Sequence, residues 1–126
     1  MLSMTCTDER LTISLCYGED KIVPFKITQA GAPLDLTGKR VFMTVRVSAG
    51  AATVEIFKVS TAPAEIDITS AVDGELEVIF TDVDTTRTPR EYRYDLALDN
   101  GAGDDRLILV KNQSLLIQRT VTEWPV

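Results

Sequence analysis

The stretch Tyr92-Arg93-Tyr94-Asp95-Leu96-Ala97-Leu98-Asp99 constrains this chain more than any other. Tyr92, Tyr94, Leu96 and Leu98 fall on one side; Arg93, Asp95 and Asp99 fall on the other, with only the small Ala97 between them. Successive strand side chains point to opposite faces, so this alternation predicts a strand with one buried and one wet side. The same period returns along the chain. Val23, Phe25 and Ile27 alternate within 22–28; Val41, Met43, Val45 and Val47 within 40–47; Leu76, Val78 and Phe80 within 75–81. Further strands are expected over 11–16, 53–59, 65–68, 106–111 and 114–121. Helical periodicity is absent apart from a single turn expected at 82–90, with Asp82 as its cap and Pro89 at its end.

Turn chemistry separates these segments. Gly31 loosens the 29–33 turn, Asp73-Gly74 marks a tight turn, and residues 48–52 are small and flexible. In Asp35-Leu36-Thr37-Gly38, Asp35 accepts bonds from backbone amides and Gly38 supplies an unusual backbone angle. Pro24 has no N–H to give to a ladder, so its strand is expected at a sheet edge or with a bulge there. Lys111-Asn112-Gln113-Ser114 reads as the joint between the last two strands. Short strands with regularly spaced turns indicate an all-β sandwich.

Length and composition agree. The chain has 126 residues, 44% of them hydrophobic, which suits one domain spanning 1–126 with a core of its own and a short tail at 122–126. No apolar run approaches the ~18 residues of a membrane span, and the N-terminus lacks the basic start and apolar core of a secretory signal. The net charge of −6, with no basic stripe, disfavours nucleic acid as a partner. Cys6 and Cys16 read as two reduced thiols, and the chain contains no His that could activate either as a nucleophile.

No catalytic, cofactor or metal set stands out. Glycine-rich phosphate loops, Ser/His/Asp sets and Cys/His clusters are missing from the sequence. Glu75 and Glu77 have the residue type for glycoside hydrolysis, yet they alternate with Leu76 and Val78 and so read as a solvated strand face. The loop Asp99–Asp105 offers three carboxylates and an amide to calcium, but lacks the spacing and closing Glu of a calcium loop and suits a plain hairpin. Two features exceed what a bare sandwich needs. Phe42 and Ile79 point to the otherwise polar sides of their strands, and Trp124, the only tryptophan, stands beside Pro125 and Val126. Tryptophan is a strong interface anchor, so these five residues are the interface candidates.

Taken together, the order Gly18-Glu19-Asp20, Asp35-Leu36-Thr37-Gly38, Val45-Arg46-Val47, Asp73-Gly74-Glu75-Leu76, Tyr92-Arg93-Tyr94-Asp95-Leu96 and Val121-Thr122 resembles the immunoglobulin-like domain of phage virion proteins. The N-terminal domain of phage baseplate upper proteins is among these. One departure is plain: Pro89-Arg90-Glu91 stands where that family places a glycine before its Tyr-rich strand. The resemblance implies an immunoglobulin-like antiparallel β-sandwich of seven to nine strands. It implies that Tyr92 acts as the tyrosine of a sandwich corner, its hydroxyl bonded to backbone near 82–85. It further implies a non-enzymatic virion protein of the tail or baseplate, made in the host cytoplasm, whose partners are other virion proteins or copies of itself. Capsid decoration is the alternative function. A carbohydrate or host-surface binding module ranks third, since few aromatics are left for a sugar platform. No cofactor or small-molecule substrate is expected.

Overall fold

The alternating apolar positions become the facing inner surfaces of two sheets. The computed structural model describes residues 2–4, 11–61 and 64–119. Cys6, Trp124, Pro125 and Val126 lie outside the described residues. The strands are β1 (Leu2–Met4), β2 (Ile13–Cys16), β3 (Lys21–Gln29), β4 (Ala32–Pro33), β5 (Arg40–Arg46), β6 (Ile56–Val59), β7 (Ile66–Ser70), β8 (Glu75–Phe80), β9 (Arg90–Asp99) and β10 (Leu107–Gln118), with one helical turn, α1 (Asp82–Thr85). The first sheet runs β1-β3-β8-β7, with β4 also paired to β3; the second runs β2-β10-β9-β5-β6. Neighbours are antiparallel except for β1 on β3 and β2 on β10, which are parallel.

The structure is therefore an all-β two-sheet sandwich. Leaving aside the two-residue β4, which lies off the main path of the first sheet, the sheets have four and five strands among the described residues, within the seven to nine expected. β1 and β4, of three and two residues, carry too little pattern to be recognised from sequence.

Alternation decides what meets between the sheets. Val23, Phe25, Ile27, Leu76, Val78 and Phe80 from the first sheet pack against Val41, Met43, Val45, Tyr94, Leu96, Leu115 and Ile117 from the second, all of them buried. Burying side chains of this size stabilises by about 1.5–3 kcal/mol each, which is the main force holding the layers together. Pro24 is accommodated as its chemistry requires. β8 pairs with β3 at Pro24↔Glu77, but β1 covers only Phe25–Ile27, so on that side Pro24 faces no described strand.

Three expectations are corrected. The described part of 106–121 is not two strands joined at 111–114. Leu107–Gln118 form one twelve-residue strand, β10, that pairs with β9 from Leu107 to Ile117 and absorbs the irregular stretch as register shifts between Ile108 and Val110 and between Val110 and Gln113. Asn112 takes a left-handed conformation there (φ 51°), and its amide donates to Asp95 Oδ1 at 2.6 Å. Asn tolerates that conformation better than most residues, which is why a bulge forms where a turn was expected. The helical turn is capped by Thr81, not Asp82: the Thr81 amide donates to Asp84 Oδ2 at 2.8 Å. Its C-cap is Thr86, so Pro89 lies beyond its end and does not terminate it.

One buried charge ties the layers together at the α1 end. Lys58, on β6, points inward and is only 2% exposed. Its Nζ reaches Asp84 of α1 at 2.6 Å and Glu65, just before β7, at 3.1 Å, and it sits 5.8 Å from the centre of the Phe80 ring. A buried ammonium persists only when it is paired. Lys58→Ala is expected to cost about 3 kcal/mol, because it removes both the pairing and the buried aliphatic stem; Lys58→Met is expected to cost less, since it keeps the stem. Urea denaturation of the two variants checks the order. Gly74 gives a second test. It has φ 69°, and a Cβ there would lie 2.5 Å from the Ile27 carbonyl oxygen and 2.8 Å from that of Leu34. Backbone strain and clash act together, so Gly74→Ala is expected to lose roughly 3 kcal/mol in the same assay.

Candidate interaction surfaces

The polar residues singled out in the sequence first have to be separated into those the fold consumes and those it leaves available. Tyr92 is consumed. It is buried, and its hydroxyl donates to the Thr88 carbonyl at 2.7 Å. The bond is of the corner type, but its acceptor is four residues upstream, not within 82–85. The reason is local: α1 has already ended at Thr85, and the chain returning to β9 brings the Thr88 carbonyl to the hydroxyl. Tyr94, one pleat further on, has an equivalent anchor that has no signature in the sequence. Its hydroxyl donates to the Leu11 carbonyl at 2.6 Å and ties the approach to β2 onto β9. Burial raises the pKa of both phenols above the ordinary value near 10, most strongly for Tyr94.

Asp35 and Gly38 are likewise structural. Asp35 Oδ1 accepts the Thr37 amide at 2.9 Å, and the hydrogen bonds from Thr37 hold its carboxyl below the usual range. Gly38 has φ 73° with open space around it, so backbone conformation rather than crowding selects glycine there. The loop after β9 uses its oxygens internally. Asp99 is buried beside Arg40, whose Nε donates at 3.2 Å and whose Nη2 donates to the other carboxylate oxygen; this keeps the Asp99 carboxyl low. Asp99 also accepts the Gly101 amide at 2.9 Å, and Asn100 Oδ1 accepts those of Ala102 and Asp104. These are turn bonds. Among the described residues there is no group of three or more acidic, Cys or His side chains arranged to hold a metal. Cys16 is a half-buried free thiol on β2.

What remains available are the outer faces of the two sheets. Phe42 and Ile79 both project outward, as their alternation requires, but on opposite faces, so the fold does not bring them together. Phe42 stacks on Phe57 with ring centres 6.2 Å apart. Register sets Val59, Phe42, Ala97 and Ile108 in one transverse row across β6, β5, β9 and β10. Phe57 is 52% exposed and Ile108 42%, so the row is apolar and partly wet. Ile79 faces Ile22, itself 55% exposed, on the first sheet. Glu75 and Glu77 lie on that same outer face, half-buried, as the strand pattern predicts.

Beside the Phe42 row, the second sheet carries a groove of about 250 Å³ lined by Arg46, Arg93, Asp95, Lys111 and Asn112. Tyr94 also borders it, but its ring is buried and its hydroxyl is already bonded, so it offers no aromatic platform. Its charged lining is three cations, Arg46, Arg93 and Lys111, against the single carboxylate of Asp95.

No protein-family model matches the chain, and a search of curated proteins also finds no match. Among solved structures it is similar to the N-terminal domain of phage TP901-1 ORF48, with a TM-score of 0.61 and 12% sequence identity over 94% of this chain and 99% of that one. At that identity the likeness is one of fold.

The tyrosine anchors predict an alkaline limit. A phenol whose pKa is raised by folding contributes stability below its unfolded pKa and loses it as pH climbs past that value. Stability is therefore expected to fall as pH rises above about 10. Tyr94→Phe should lower stability at neutral pH by about 1–2 kcal/mol through the lost hydroxyl bond and should flatten the alkaline decline. Denaturant titrations at pH 7 and above pH 10 check both effects.

Proposed function

We propose that this chain is a non-enzymatic structural component of a phage particle, in the tail or baseplate, acting through protein–protein contacts. The observation that carries this is the fold match with the N-terminal domain of phage TP901-1 ORF48, which extends over nearly the whole of both chains. The sequence resemblance in the Asp35–Gly38 and Tyr92–Leu96 motifs points the same way. The strand order supports an immunoglobulin-like classification: β3-β8-β7 corresponds to B-E-D, and β10-β9-β5 to G-F-C. The chemistry is consistent with a contact role. Asp35, Asp84 and Asp99 are absorbed in turns and clamps, while apolar and charged groups, Glu75 and Glu77 among them, gather on the outer faces. Phe42 and Ile79, with Trp124, Pro125 and Val126, are the residues proposed to make those contacts.

Peptide mass spectrometry and immunogold labelling of phage particles from a lysate that carries the gene test this. Peptides of the chain should co-purify with particles, and label should fall on the tail or baseplate. Label over the shell would replace the tail role with capsid decoration, and absence from particles would overturn a virion role.

A further inference from the structure

The two outer faces carry opposed like-charge pairs. On the second sheet, Arg46 of β5 stands directly opposite Arg93 of β9. On the first sheet, Asp67 of β7 stands directly opposite Glu77 of β8. Like charges in directly opposite positions destabilise a sheet. Among the described residues both pairs have little relief from opposite charge, and on the first sheet Lys26 stands opposite Glu75 rather than Glu77. Asp67 and Glu77 form no ion pair among the described residues. Arg46 Nη1 is bonded only to the Ala51 and Ala52 carbonyls. Arg93 has Glu91 at 4.0 Å, and its Nη1 donates to the Asn112 carbonyl. Lys111 adds a third cation to the groove against the single carboxylate of Asp95. Such a concentration of positive charge stands out in a chain of net charge −6.

We propose that these faces bind each other in separate copies of the chain: the Asp67/Glu77 face of one copy sits on the Arg46/Arg93 groove of the next. This names a partner within the structural role proposed above and rests on that role for its setting. Three features select a second copy as the occupant. The charges are opposite. The spacing matches, because both pairs are directly opposed residues on antiparallel strands, with Cα atoms about 4.5–5.5 Å apart. Each pair also has an apolar neighbour one strand over and two residues along. Ile22 faces Ile79, two residues from Glu77; Phe57, stacked on Phe42, faces Thr44, two residues from Arg46. Carboxylates meeting guanidiniums in this way form paired, directional hydrogen bonds, and the flanking apolar groups exclude water from them. Because the two patches differ, the contact is head-to-tail, so it builds rings or open stacks rather than closed two-fold dimers.

Sedimentation velocity on the purified full chain, with light scattering for mass, tests the proposal. The wild type should associate at low salt, its mass should rise past a dimer with concentration, and association should weaken at least about tenfold between ~0.05 M and ~0.5 M salt. Asp67→Lys with Glu77→Lys should abolish association, as should Arg46→Glu with Arg93→Glu. Mixing the two variants should restore it, since each reversed face then meets its complement. That rescue excludes misfolding as the cause of the loss. A wild type that stays monomeric, association indifferent to either reversal, or a loss that mixing does not restore overturns the proposal. Groove binding of a polyglutamate peptide by such a monomer would assign the groove to a foreign acidic partner instead. Because this assay uses isolated protein, its failure leaves the particle-labelling result standing, and the reverse also holds.

Discussion

Everything in this fold follows from the need to bury one apolar face of each of two sheets against the other. Among the described residues there is only a four-residue helical turn besides strands, and no other element covers those faces. The sheets must cover each other, and Phe25, Phe80, Met43, Tyr94 and Leu96 meet in the space between them. That arrangement accounts for the tolerance of irregularity elsewhere. β10 can bulge twice because Leu109, Val110, Leu115 and Ile117 are still delivered to the interior on either side of the shifts. The apolar requirement outweighs ladder regularity.

Polar groups serve as closures at the margins of that core. Lys58 joins β6 to α1 and to the approach of β7, so a charge links the two layers. Tyr92 and Tyr94 keep their rings in the core and use their hydroxyls to secure chain segments entering it. The break at 17–20 is secured in the same manner. Thr85 Oγ1 donates to the Glu19 carbonyl at 2.7 Å, and Asp20 Oδ1 accepts the Asp82 amide at 2.7 Å. An acidic stretch that looks like a simple solvent-exposed interruption is thus the socket for the helical turn.

Once the inner faces are committed to each other, the outer faces are left to interact with other molecules. Their composition is not uniform. One carries carboxylates at Asp67, Glu75 and Glu77; the other carries Arg46, Arg93 and Lys111 beside the Phe42–Phe57 stack. The fold likeness to a phage protein domain, at 12% identity, is compatible with conserved architecture and divergent surfaces.

The sequence alone determined the class of fold, most strand positions and which side of each strand is buried. Those depend on local alternation, and Tyr92–Asp99 or Val41–Val47 carry it within their own few residues. It also determined that Asp35-Leu36-Thr37-Gly38 and Asp73-Gly74 are turns, since turn geometry is set by neighbours in the chain. Tertiary structure decided the rest. Lys58 gives no sign in sequence of being buried, because its partners Glu65 and Asp84 lie 7 and 26 residues away. The Thr88 acceptor for Tyr92, the unbroken β10 and the short β1 and β4 each depend on which strand lies alongside. The opposition of Arg46 to Arg93 and of Asp67 to Glu77 exists only once register is set. Register is a property of two strands together, so no single segment encodes it.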